Sequence, residues 1–407
     1  MSTKETKQFN RWFVVFGAVL LQICIGAIYS WSLFNQPLMD KFGWGNNEVV
    51  LTFSIAVFVF AFSTIFSGRL QDKLGPRVVA TIGGILYGGG LLLASTATSI
   101  LQLYIYYGVI AGAGVGFAYV CPLSTCVKWF PEKKGFITGI AVGAFGLGSL
   151  IFKSVIQFFL TTKGVSATFF YLGIIYFILV LIGAQFLRLP EGYSSTKQNS
   201  TVTGNNFTVG EMLKTKSFYL IWTMFLFASM SGLLVIGLAK DIGVELANLE
   251  VGVAANAVAM IALFNASGRL LWGALSDKLG RIKVVFMMFT ITAIAMIAMS
   301  IISLSFVTFF ICLAAIAFCF GGFLAVFPTI TGEFYGMKNL GGNYGIVYQA
   351  YGLAALVGPM VVANVGGLKP TFIISAFLAI VGAGMTFMVK PPLSPASTRL
   401  NTEEALS

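Results

Sequence analysis

Apolar residues gather into twelve runs, near 12–35, 48–68, 78–97, 101–127, 135–160 and 166–187, then 217–239, 249–275, 282–303, 305–330, 343–364 and 369–389. At the rise of an α-helix, about twenty such residues cross a hydrocarbon layer of about 30 Å, so each run predicts one transmembrane helix. The short alternating strands of an outer-membrane barrel are absent. The first run continues past the length of a signal peptide with no small-residue cleavage site, so it is expected to be retained. Two polar stretches interrupt or end the pattern. Leu189–Lys216 contains PEGYSSTKQNSTVTGNN and predicts a mobile cytoplasmic linker, and the tail from Pro391 has the composition of disorder.

The second half of the pattern repeats the first. GRLQDKLGPR at Gly68–Arg77 returns as GALSDKLGR at Gly273–Arg281, an offset of 277 − 72 = 205, about half of the 407 residues. The same shift lays Phe13 over Phe218. The expected organisation is therefore a six-helix bundle over 1–188, a linker over 189–216, a second bundle over 217–390 and a cytoplasmic tail over 391–407. Glycine runs GAGVG (Gly112–Gly116) and GAFGLG (Gly143–Gly148) predict close, sliding helix interfaces. Neither follows a strand or carries a phosphate-binding lysine, which argues against nucleotide binding.

Composition narrows the class. The chain is 57% hydrophobic and 10% charged, with a mean hydropathy of +0.90, which excludes a soluble globule and predicts an all-α, multi-pass membrane protein. The net charge of +11 is unevenly placed. Arg11, Arg69, Lys73, Arg77, Lys128, Lys133, Lys134, Arg188, Lys278, Arg281, Lys283 and Lys390 flank one predicted face, whereas few bases flank the other. This distribution puts both termini in the cytoplasm and makes the basic excess a topology signal in a bilayer rather than a nucleic-acid footprint. There is no histidine, and the five cysteines all lie in apolar runs. They read as buried free thiols, and no metal, redox cofactor or enzymatic centre is expected.

Against that background Arg269 stands out. The twenty or so residues before it carry no charge except Glu250 at their outer edge, and the polar loop begins eight residues later at Asp277. Along a helix that places Arg269 roughly 12 Å inside the cytoplasmic surface. An unpaired charge at that depth costs about 2.5–3.5 kcal/mol even on the mild insertion scale, and no acid lies within two turns. An anion from solution is its natural partner. Tyr344, Tyr348 and Tyr351 share one helical face, Asn265 precedes Arg269 by one turn, and Gln22 and Tyr29 are seven apart. Tyr119, beside Cys121 and Pro122, reads as a cavity residue, while Tyr104, Tyr106 and Tyr107 read as packing or interfacial anchors. Lys153, ~27 Å along its helix, reads as snorkelling to the outer interface.

The loop G-x-x-x-D-K-x-G-R, present in both halves with Pro76 inserted before the arginine in the first, resembles the signature of the major facilitator superfamily. That resemblance implies two bundles about a central substrate site with alternating access. In it Asp72 and Asp277 would cap neighbouring helix N-termini and pair with Arg77 and Arg281; a plain tight turn is the alternative. NRWF (Asn10–Phe13), YSWSLF (Tyr29–Phe34), YVCPLSTCVKWFPEKKG (Tyr119–Gly135), AVGAFGLG (Ala141–Gly148), FNASGR and NYGIVYQAYG (Asn343–Gly352) look like the oxalate/formate antiporters and the related monocarboxylate transporters. In both groups the arginine matching Arg269 anchors a carboxylate. Phe145 and Phe320 match aromatic cavity positions, although bare rings serve equally as core. Two departures bear on substrate. Tyr351 stands where the oxalate/formate group has a lysine, and Asn265 where the monocarboxylate group has an acid. The expectation is a proton-coupled carrier of a small carboxylate anion such as lactate or pyruvate in a cytoplasmic (inner) membrane, with Arg269, Tyr119, Asn265, Tyr29, Tyr348, Tyr351, Phe145 and Phe320 around it. An oxalate/formate-type exchanger is the alternative, and a channel or receptor the remote one.

Overall fold

The computed structural model describes residues 10–190, 206–365 and 367–393. Most of the expected linker (191–205) and of the tail (394–407) lie outside the described residues. Among the described residues the regular structure is all helical. It runs α1 (Arg11–Gly26), a 3₁₀ turn (Ala27–Ser30), α2 (Ser32–Phe42), α3 (Asn46–Leu74), α4 (Pro76–Ala94), then α5 (Ile100–Leu103), which passes through a π-turn (Tyr104–Ala111) into α6 (Gly112–Trp129), and α7 (Lys134–Phe186). After the linker come α8 (Val209–Met212), α9 (Lys216–Glu245), α10 (Val251–Leu279), α11 (Arg281–Ile301), α12 (Phe306–Tyr335), α13 (Leu340–Val347), α14 (Gln349–Val365) and α15 (Leu368–Met385). Among the described residues, nine helices are long and apolar enough to cross a membrane. One of these, Pro131–Phe186, joins two expected spans: Gly164, at φ 78°, breaks α7 where only glycine adopts that backbone cheaply.

Helix starts follow ordinary capping chemistry. Asn10 accepts from the Trp12 amide at 3.0 Å, Glu48 reaches back to the Gly45 amide at 2.8 Å, and Ser305 with Thr308 closes a capping box on α12. The end of the linker differs from the expected mobile segment. Thr208 caps α8 through Glu211, Phe207 N donates to the Tyr335 carbonyl at 2.9 Å, and Asn339 and Asn343 both donate to the Phe207 carbonyl. Satisfying those backbone groups pins residues 206–215 against the end of α12. The expected eleventh helix is also not continuous: it turns at Tyr348 between α13 and α14.

Two groups of helices pack mainly among themselves, α1, α3, α4, α6 and α7 in one and α9 to α12 with α14 and α15 in the other. They meet along two seams, α7 on α10 and α3 on α13 and α14. Glycine makes both seams possible. A Cβ on Gly135 would stand 2.2 Å from the Gly273 carbonyl oxygen and one on Gly139 2.4 Å from that of Arg269; across the other seam Gly68 meets the Gly341 oxygen at 2.1 Å and Gly345 that of Thr64 at 2.3 Å. Side chains there would hold the backbones apart. Gly68 and Gly273 are the same position under the 205-residue repeat, so the two seams are built alike. The GAGVG run makes close helix contacts, as expected, but inside one group. Gly112 and Gly116 lie on α3 and Gly114 on α4, all within the first group.

Candidate functional site

At the signature-loop face each repeat aspartate closes a seam by capping a helix of the other group. Asp277 of α10 accepts from the Gly135 and Phe136 amides at 2.9 Å each, at the start of α7. Asp72 of α3 accepts from the Gly342 amide at 2.7 Å, in the first turn of α13. A carboxylate over an exposed helix N-terminus satisfies donors that have no partner within the helix and faces the positive end of its dipole. The arginines diverge. Arg281 binds Asp277 at 2.5 Å and Glu333 at 3.0 Å, as expected for the first of these pairs. Arg77 does not pair with Asp72; it donates to the side-chain oxygen of Gln185. The cause is Pro76. It occupies the first position of α4 and adds one residue between aspartate and arginine, so the arginine is turned about 100° around its helix and away from the brace.

Deeper in the α7–α10 seam lies Arg269, 2% exposed. Nη1 donates to the Val142 carbonyl of α7, across the seam, and Nε is buried without a partner. Gly146 gives the guanidinium its floor: a Cβ there would stand 3.1 Å from Cζ and 3.2 Å from Nη1. No carboxylate lies within ion-pair distance of Arg269 among the described residues, whereas Arg281, 8% exposed, has two. Nε is thus left to take an anion.

A cluster of aromatic rings spans the two groups. The Tyr29 and Tyr351 hydroxyls are hydrogen-bonded to each other across the two groups. Tyr348 stacks on Tyr351 at 5.1 Å between centroids and leans on Tyr119 at 4.9 Å; Tyr119 meets Phe145 at 5.2 Å, and Phe145 meets Tyr29 edge-on at 5.4 Å. Five of the seven residues singled out alongside Arg269 gather in one cluster: Tyr29, Tyr119, Phe145, Tyr348 and Tyr351. Two others do not join it. Asn265 turns its amide to the Ala317 carbonyl of α12 at 3.3 Å, and Phe320 lies over Gly232 of α9.

Sequence reasoning missed Phe60, Val142, Gly146 and Gln349. Phe60 contacts Tyr119, Phe145 and Tyr348 at 5.2 to 6.0 Å, and Gln349 donates across the second seam to the Ala61 carbonyl at 2.6 Å. A backbone carbonyl leaves no mark in a sequence, but Gly146 sits within the GAFGLG run that drew notice. Lys153 is exposed, away from the cluster, and the five cysteines are buried and free.

Comparison with known proteins gives a family and relatives. The Major Facilitator Superfamily model matches residues 12–270 and 233–406. An uncharacterised MFS-type transporter, YhjX, of Escherichia coli is 38% identical over 87% of this chain and 88% of its own length. The oxalate:formate antiporter of Oxalobacter formigenes is 34% identical, over 94% and 92% respectively. Among solved structures the Escherichia coli fucose:proton symporter superposes with a TM-score of 0.71 at 14% identity, covering 93% of this chain and all of that one.

Proposed function

The chain belongs to the major facilitator superfamily, a transporter and not an enzyme, and from that premise we propose that it carries small monocarboxylates of the lactate and pyruvate type, coupled to a proton, by alternating access. In this reading its six-helix halves, 1–188 and 217–390, rock about the seams, twelve helices cross a cytoplasmic membrane, and both termini face the cytoplasm. The observation that carries the proposal is the buried guanidinium of Arg269 with Nε unpartnered and no acid to neutralise it. A carboxylate would accept from that Nε. In this reading the Tyr29, Tyr119, Tyr348 and Tyr351 hydroxyls donate to it and Phe145 packs the short carbon body, a role supported by their gathering in one cluster. Asn265 and Phe320 would act from the flank.

Charge count supports a monovalent substrate. A dicarboxylate brings two negative ends, and Tyr351 leaves the second without a cation, which is costly in a site lined by rings. No acid lies in the middle of a predicted span, so the proton is proposed to ride on the substrate carboxylate itself. The second reading, exchange of oxalate-like anions, is favoured by the 34% identity to a protein named an oxalate:formate antiporter. Reconstituted vesicles separate the readings. A symporter gives both net uptake and exchange of labelled lactate, an exchanger gives exchange only, and saturable oxalate uptake without lactate uptake would overturn the monocarboxylate proposal.

A further inference from the structure

In a carrier that moves substrate one way, the empty site must cross the membrane-closed state, and here that state would hold a bare guanidinium. Burying an unpaired cation costs several kcal/mol, enough to stall the return. An acid on the same helix would be the simplest remedy, but Asn265 occupies the position one turn away and its amide is committed to Ala317. The structure shows a different arrangement. Arg269, on α10, donates to the Val142 carbonyl on α7, and its guanidinium lies flat over Gly146 in the same helix.

Resting on the transport reading above, we propose that Val142 and Gly146 form a parking place for the Arg269 guanidinium, and that this is what lets the empty carrier reorient. The backbone carbonyl stands in for the missing carboxylate by accepting a charge-assisted hydrogen bond across the seam, so the two groups are held together when no anion is present. Because Nη1 is engaged and Nε is not, an arriving carboxylate finds a prepared donor. Gly146 is a positioning residue: it touches no substrate, and its lack of a side chain sets where the guanidinium rests. The helix also carries its own control. A Cβ on Gly146 would press Cζ at 3.1 Å, whereas one on Gly143 meets nothing nearer than Leu270 at 3.8 Å, an ordinary contact.

The experiment uses the full chain in proteoliposomes with labelled lactate, measuring exchange against internal lactate and net uptake into lactate-free vesicles under a pH gradient. Gly146→Ala is expected to lower net uptake relative to its own exchange rate by about tenfold, the scale of one charged hydrogen bond, with lactate affinity unchanged or higher. Gly143→Ala is expected to keep the wild-type ratio. Adding Asn265→Asp to Gly146→Ala supplies an acid one turn from Arg269 and is expected to restore net uptake. An unchanged ratio in Gly146→Ala, an equal fall in Gly143→Ala, or no rescue by Asn265→Asp would each overturn the inference. Absence of both fluxes in the wild type would instead bring down the transport reading on which it stands.

Discussion

Two arginines in one helical hairpin show how differently the same side chain is used. Arg281 is enclosed by Asp277 and Glu333 and works as a strut. Arg269 has a carbonyl and an unpartnered Nε. Replacing it tests the site directly: Arg269→Lys keeps the charge but gives up the planar fork, and should weaken lactate binding by about 1.5–3 kcal/mol, the worth of one charged hydrogen bond, with Arg269→Ala weaker still. Competition against labelled lactate measures both, and wild-type affinity in the alanine variant would remove Arg269 from the site. Tyr351 sets the valence test. Tyr351→Lys breaks the bond to Tyr29 and places a second cation beside the first, so lactate binding should fall while oxalate or malonate enters. Discrimination is expected to shift by about 2 kcal/mol, roughly thirtyfold. Wild type that already takes oxalate as well as lactate would defeat the argument from charge. The burial of Arg269 and the shared face of Tyr348 and Tyr351 were legible in the sequence, because a charge in an apolar run and a repeated ring spacing are side-chain signals. The Val142 carbonyl was not, since every residue has one and only the fold decides which is aimed at what.

At the scale of helices, glycine marks where backbones touch. Gly26 sits with its absent Cβ 1.9 Å from the Phe145 carbonyl oxygen, so Gly26→Ala must push α1 off α7 just behind the ring cluster. Thermal unfolding in detergent should show it destabilised by about 1–3 kcal/mol, as for overpacking elsewhere. Gly89→Ala, with nothing within 4 Å, should be neutral or slightly stabilising because alanine favours the helix. Equal melting temperatures for the two variants would contradict the packing. Most helices were visible as apolar runs, since bilayer thickness fixes their length. Their interruptions were less so. Gly164 parts two helices at the polar Thr161–Gly164 stretch, where the expected fifth and sixth runs already separate, but the turn at Tyr348 falls inside the expected eleventh run, marked only by the neighbouring Gln349. The pinned end of the linker was hidden too, because Asn206–Thr215 is polar in composition and gains its order from Tyr335, Asn339 and Asn343 far along the chain.

The whole molecule carries the duplication in its bracing. Asp72 and Asp277, equivalent under the repeat, each cap a helix of the opposite group, and this could be anticipated from an acid at a helix end facing a turn. The inserted Pro76 marks their inequality in the sequence, but the partner Arg77 takes instead was hidden, because only the fold decides where Gln185 stands. Hydrogen exchange reads the braces separately. Asp277→Ala should speed exchange at the Gly135 and Phe136 amides by about tenfold or more, having removed two amide acceptors and an ion pair. Arg77→Ala should leave the Gly342 amide as protected as before, and loss of that protection would restore the pairing the structure denies. The two clasps are unequal in kind. Asp277 is backed at one point by Arg281 and Glu333, whereas the Asp72 seam is fastened again further along, by Thr64 on the Gly345 carbonyl and Gln349 on that of Ala61, so its hold is spread over several turns of α3 rather than gathered at its end.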